Sequence, residues 1–224
     1  HARVKKWLGY SDAGFLLALG FAAAWIGTFE WPQVVAGSQI DTSSARLVAL
    51  GFVVAALAKS AQLPFSPWLS RALEGPTPSS AIFYGAVMVH AGVYLLLRLE
   101  PLLAPLPDVT AGLIAIGVLT AIYAWLCGLV QTDVKSALIF ATLFQVALMF
   151  VAIGLGWTTL ALVHLCLHAG WRVWQFLVAP SWLVLTRQRP ADIVQDIRAV
   201  AAHLEDRAPQ HRVGRTADRG EAAP

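Results

Sequence analysis

Lys59 closes an apolar run, residues 46–58, and stands just ahead of Pro64 and Pro67. A charge at membrane depth is costly, so such residues pair, face a wet cavity or carry ions. Proline breaks a helix, and broken backbone survives in a bilayer only against protein or a water-filled cavity. A lysine at such a break is a candidate carrier of protons or other cations; the competing reading is a lysine snorkelling from a helix end. His164, His168 and Arg172 follow at i, i+4, i+8 and stack on one helix face. Imidazoles titrate near neutral pH, which suits a proton relay. Arginine keeps its proton, so Arg172 would tune the histidines or hold an anion or carboxylate. The competing reading is a polar stripe that joins helices by hydrogen bonds. A zinc site is the weaker alternative, since no third ligand is evident.

Further polar groups interrupt other apolar stretches. Tyr84 and His90 are six residues apart, on different faces of one helix. His90 is a candidate relay or a buried structural histidine. Tyr84 either extends a hydrogen-bond chain or packs with its hydroxyl satisfied. Glu74 and Arg71 flank the break, and Glu74 is placed to pair with Lys59 or Arg71 and to set the lysine's proton affinity. Lys135 begins another span as an interface anchor or an inward-pointing cation, and Gln145 fits interhelical bonding. Cys127 and Cys166 have no metal-ligand spacing and read as small packing residues. There is no nucleotide, flavin, haem or iron–sulfur motif, so no cofactor is expected in this chain.

The elements that must position these groups are membrane helices. Of 224 residues, 58% are hydrophobic and only 13% charged, about half the charge of a soluble domain. Apolar runs reach spanning length. The expectation is an all-α polytopic bundle of about six spans: 11–30, a discontinuous 46–74, 78–99, 109–130, 134–154 and 157–186. Trp7, Trp31, Trp68, Trp157 and Trp182 fall near expected interfaces, as aromatic belts do. Residues 1–186 form the membrane domain and 187–224 a tail. Ile193, Ile197, Val200 and Leu204 share one face there, giving a short amphipathic helix on membrane or partner before a disordered end. Arg3, Lys5, Lys6, Arg71, Lys135, Arg187 and Arg189 gather on one side, which puts both termini in the cytoplasm by the positive-inside rule. The net charge of +3 lies in loops and tail and forms no nucleic-acid patch. The chain begins at His1 without a signal-peptide pattern, consistent with a fragment, a processed chain or a piece of a longer protein.

Three stretches carry a resemblance: KSAQLPFSPWLSRALEGPTPSSAIFYGAVMVHAGVYLLLR, QTDVKSALIFATLFQVALMFVAIGLG and ALVHLCLHAGWRVWQFL. In this order they resemble the antiporter-like subunits of respiratory complex I and of Mrp sodium/proton antiporters, over residues 10–185. The resemblance implies that Lys59 is the central lysine of a half-channel's broken helix. It sets His164, His168 and Arg172 where the family has two histidines and a lysine, and Tyr84 where it has a histidine. Both departures resemble the membrane subunit (DabB type) of the DAB inorganic carbon transporter. That likeness implies CO2 hydration driven by cation flow, H+ or Na+, beside a large soluble zinc subunit of DabA type. The zinc would belong to that partner. The expected role is thus a transporter subunit, not itself an enzyme, in a bacterial inner membrane. A proton-pumping subunit of an NADH-quinone oxidoreductase or related hydrogenase is the alternative, and a truncated non-conducting scaffold a third. The family has about 14 spans in two inverted repeats. This chain matches the end of one and the start of the next, so other membrane subunits are expected to supply the remaining helices, including the one bearing the family's glutamate.

Overall fold

The computed structural model describes residues 2–27, 29–36, 41–70, 87–132, 134–178 and 198. The chain divides into two compact units, 1–179 and 180–224, and the helices below belong to the first. In order they are α1 (Ala2–Ile26), α2 (Trp31–Ala36), α3 (Thr42–Lys59), α4 (Pro67–Ser70), α5 (Ala91–Arg98), α6 (Glu100–Leu103), α7 (Pro107–Leu129), α8 (Val134–Gly154) and α9 (Thr158–Val178). Among the described residues every regular element is a helix, as expected.

Local chemistry sets the ends. Asp41 caps α3: its carboxylate accepts from the Ser43 and Ser44 amides at 3.0 and 3.1 Å and from Ser44 Oγ at 2.6 Å. Those bonds favour the ionised form and hold the Asp41 carboxyl below its usual range. Pro107 starts α7, where a missing N–H costs nothing. Beyond α8, Gly156 takes φ +78°, Trp157 N donates to Ala152 O and Gly156 N to Ile153 O. This is a Schellman stop. It turns the chain at once into α9, fixing how those two spans face each other.

Among the described residues four helices are long and apolar enough to cross a membrane: Leu8–Ile26 of α1, α3, α7 and α8. These correspond to the expected first, second, fourth and fifth spans. The expected sixth is α9, 21 residues and about 32 Å long. Its polar face lowers its hydropathy. The expected third span lies partly outside the described residues. Its described part is not one continuous helix: residues 88–90 form a turn, α5 begins at Ala91, and Leu99 separates α5 from α6. Ser60 Oγ donates to Val89 O at 2.6 Å in that turn.

Packing runs from α1 to α3, α3 to α5, α5 to α9, α9 to α8 and α8 to α7. Small residues allow the close approaches. A Cβ at Gly92 would fall on Ala56 O and Ser60 Oγ, so only glycine lets α5 sit against the end of α3. An ion pair, Arg46 Nε to Asp108 Oδ2 at 2.7 Å, ties the starts of α3 and α7.

The outer surface is that of a membrane protein. On α9, Leu160, Leu167, Trp171, Trp174 and Leu177 are exposed while His168 and Arg172 are buried. Apolar outside and ionisable inside inverts the soluble pattern and suits lipid contact. Cys166 lies on that exposed apolar face, so it is not the packing residue expected, whereas Cys127 is half-buried.

Candidate functional site

The discontinuous helix is present. After Lys59 the chain leaves the helix, with Ala61 at φ +54°, and resumes as α4. Several groups released by the break find protein partners. Trp68 Nε1 donates to Ala58 O at 3.0 Å, Gln62 Nε2 to Ser60 O at 3.1 Å, and Gln62 N to Leu57 O at 2.9 Å. From the middle of α7, Thr120 Oγ1 accepts from Leu63 N at 3.1 Å and donates to Ile116 O at 2.7 Å. This answers the demand that backbone at membrane depth be satisfied internally. It also corrects the reading of Trp68 as an interfacial anchor: its side chain is buried, because its N–H serves the break.

Lys59 projects from the break into an open cleft of about 760 Å3 lined by α1, α3 and α5, which also holds Asp12, Tyr94 and Arg98. Its Nζ lies 3.6 Å from Asp12 Oδ1, with the lysine side chain 35% exposed. The acidic partner thus comes from α1, 47 residues upstream by number, and adjacent Ser11 Oγ fixes that helix by donating to Ala55 O at 2.9 Å. Glu74, the partner expected from the sequence, lies outside the described residues, as does Tyr84. Asp12 escaped the sequence reading because it sits near the start of an otherwise ordinary span; its single signal is a carboxylate inside an apolar run.

The second constellation joins three candidates. His90 Nε2 and His168 Nδ1 are 3.0 Å apart, and Arg172 Nε donates to His168 Nε2 at 3.0 Å. Arg172 Nη1 donates to Gln175 Oε1 at 2.7 Å. The i, i+4 spacing read from sequence sets Arg172 one turn beyond His168; the turn that leads into α5 then brings in His90, 78 residues away by number. His164 meets the edge of the His168 ring, centroids 5.9 Å apart, and its Nε2 lies 3.0 Å from Gln145 Oε1 on α8. Gln145 therefore orients a relay candidate while joining two helices. Lys135 at the start of α8 is buried.

His90 and Lys59 are linked through their neighbours, since Ser60 Oγ holds Val89 O. Residues sequence reasoning passed over are Asp12, Ser60, Gln62 and Thr120, whose partners are distant or on the backbone, and Gln175, whose bond to Arg172 within α9 depends on a rotamer. Among the described residues no group of three or more His, Cys, Asp or Glu side chains could hold a metal.

A lysine at a satisfied helix break and a buried imidazole line are accompanied by a family match. The NADH:quinone oxidoreductase/Mrp antiporter transmembrane family profile covers residues 8–203. The chain belongs to this family. The antiporter-type chain is 39% identical over 170 residues to "NADH-ubiquinone oxidoreductase chain 5" of Pongo abelii, covering 76% of its own length and 28% of that protein. Against the same-named protein of Pelomedusa subrufa the identity is 37% over 171 residues, with the same shares. The solved Mrp complex from Dietzia sp. DQ12-45-1b contains a chain matched at TM-score 0.74 and 30% identity, over 78% of this antiporter-type chain and 20% of that one. The antiporter-type chain thus spans little more than a quarter of the curated relatives' length.

Proposed function

We propose that the chain is a proton-conducting segment of an antiporter-like membrane subunit of the complex I or Mrp type. The observation that carries this reading is the buried line His90–His168–Arg172 between α5 and α9, in a chain of that family. Lys59 with Asp12 in the cleft forms the second element. The imidazoles relay, Gln145 orients His164, and Arg172 supplies fixed charge. The chain itself performs no redox step; in a complex I type assembly other subunits would supply the energy. We infer cytoplasmic termini from the loop cations, and an energy-converting membrane such as a bacterial inner membrane from membership of the family.

A DAB-type inorganic carbon uptake complex is the second reading, supported by Arg172 and Tyr84 in place of the family's lysine and histidine. The named relatives weigh towards the first reading. The deciding experiment is purification of the complex from native membranes in mild detergent, with identification of its subunits. Quinone-oxidoreductase or Mrp subunits would support the first reading. A large soluble zinc protein of carbonic-anhydrase type would replace it with the second. The chain recovered alone, with no proton flux in vesicles, would count against conduction and favour a scaffold.

A further inference from the structure

We propose that Arg172 is a tautomer lock that gives the His168–His90 pair one direction and admits one proton per release. The deduction starts from donors and acceptors. Guanidinium has five N–H donors and no acceptor. With Arg172 Nε 3.0 Å from His168 Nε2, that nitrogen must present its lone pair and carries no proton. His168 is then the neutral imidazole with its proton on Nδ1. His168 Nδ1 lies 3.0 Å from His90 Nε2, so the bond runs from His168 Nδ1–H to His90 Nε2. His90 must accept there, and as a neutral imidazole it bears its own proton on Nδ1. Two protonated nitrogens cannot face each other at this distance. While Arg172 is engaged, three side chains are therefore fixed in one orientation, and the entry nitrogen of His168 is covered.

The geometry supplies a resting place for Arg172. Gln175 Oε1, on the next turn of α9, accepts from its Nη1 at 2.7 Å. The guanidinium can turn from His168 while that tether holds. A proton then binds His168 Nε2, the His168 Nδ1–H bond breaks as an Nε2–H bond forms on His90, and the His90 Nδ1 proton leaves. One proton has entered and one has left, and each ring remains neutral with its proton on Nε2. In that state His168 Nε2 is a donor, and Arg172 cannot re-engage until both rings reset. A second proton cannot pass in the meantime. Arg172 acts here as a positioning residue, through its geometry and donor-only chemistry. A lysine ammonium could cover His168 Nε2 but is not a planar fork and cannot at once hold Gln175 and the ring in this fixed geometry.

The hand-off rests on the proton-conducting reading; the lock itself does not. The test is nitrogen NMR of the full chain, 15N-labelled at histidine and embedded in lipid. The six histidines are resolved by comparison with His90→Gln and His168→Gln. The expected spectrum has His168 and His90 both protonated at Nδ1. Arg172→Met is expected to move the His168 proton to Nε2, the position favoured by histidine in water. A wild-type His168 protonated at Nε2, or an Arg172→Met spectrum unchanged at His168, overturns the lock. Should Arg172→Met fail to insert, the wild-type spectrum decides alone. Proton flux of the same preparations in vesicles separates the two claims: the expected Nδ1 tautomers without wild-type flux would sink the conduction reading and leave the lock standing.

Discussion

Lys59 and Trp68 sit nine residues apart and divide the work of the break. Lys59 carries the charge, with Asp12 at 3.6 Å. Trp68 keeps the backbone around it satisfied through its bond to Ala58 O. Lys59→Ala is predicted to lower proton flux of the isolated complex by about 10²-fold or more, the scale of a positioned proton-transfer group, while leaving membrane insertion intact. Flux within twofold of wild type would remove Lys59 from the pathway. Trp68→Phe keeps one aromatic ring but deletes the N–H donor and part of the buried indole. It should cost about 1–3 kcal/mol, because a buried carbonyl loses a partner, read as a lower unfolding midpoint in titration with denaturing detergent. The residue types and the His164–His168–Arg172 spacing were legible in the sequence because they lie on one helix, where covalent geometry sets the face. Asp12, Thr120 and Gln175 were not, because their roles depend on tertiary contacts or on a rotamer.

At the scale of elements, two devices are open to test. The α3 cap depends on an ionised Asp41, whose pKa is depressed by its bonds to Ser43 and Ser44. Its contribution is fully present above the unfolded carboxyl value of about 3.9 and is lost as pH falls through the lower folded value. Asp41→Ala is therefore predicted to lower the melting temperature at pH 7, with the gap to wild type shrinking below about pH 4. A gap that stays constant into strong acid would show that the carboxylate is not the cap. The second device is Gly92, which allows α5 to approach Ala56 and Ser60. Gly92→Ala should cost about 1–3 kcal/mol by overpacking. Because Ser60 also holds Val89 O, its effect should not add to that of Ser60→Ala in a double-mutant cycle. Strict additivity of the two would mean that the contact is not shared. Sequence alone located α7 and α8 closely, whereas α3 begins at Thr42, ahead of the expected 46, and ends at Lys59, ahead of the break expected near Pro64. The turn at 88–90 was missed, because what meets it is a serine hydroxyl from another helix.

Over the whole molecule, the described helices pack as a bundle with α5 shared between the lysine side and the histidine side. Large apolar residues remain exposed on α7 and α9, Trp125, Leu129, Trp171 and Trp174 among them. Lipid or neighbouring membrane helices account for such surface. The relatives reach well beyond the region matched here, so the cleft beside Lys59 is expected to be narrower in an assembly that includes the rest of such a subunit. Reduced reaction of a cysteine placed at exposed Leu16, on the cleft wall, with a water-soluble thiol reagent in the native complex compared with the isolated chain would support that expectation. Equal reaction in both would count against it.

By itself the sequence determined that this is a helical membrane chain with a broken span, a lysine at the break and a polar face on its last long helix. These follow from hydropathy, proline chemistry and the 3.6-residue period, all of which act within one segment. The Arg172 contacts to His168 and Gln175 lie within α9 and rest on its rotamer, whereas the tertiary structure alone decided which acid meets Lys59 and which histidine meets His168. Those outcomes depend on where the Gly156 turn and the Gly92 approach set one helix against the next. A shift of one residue on any of these helices rotates a side chain by about 100° and would separate the pairs.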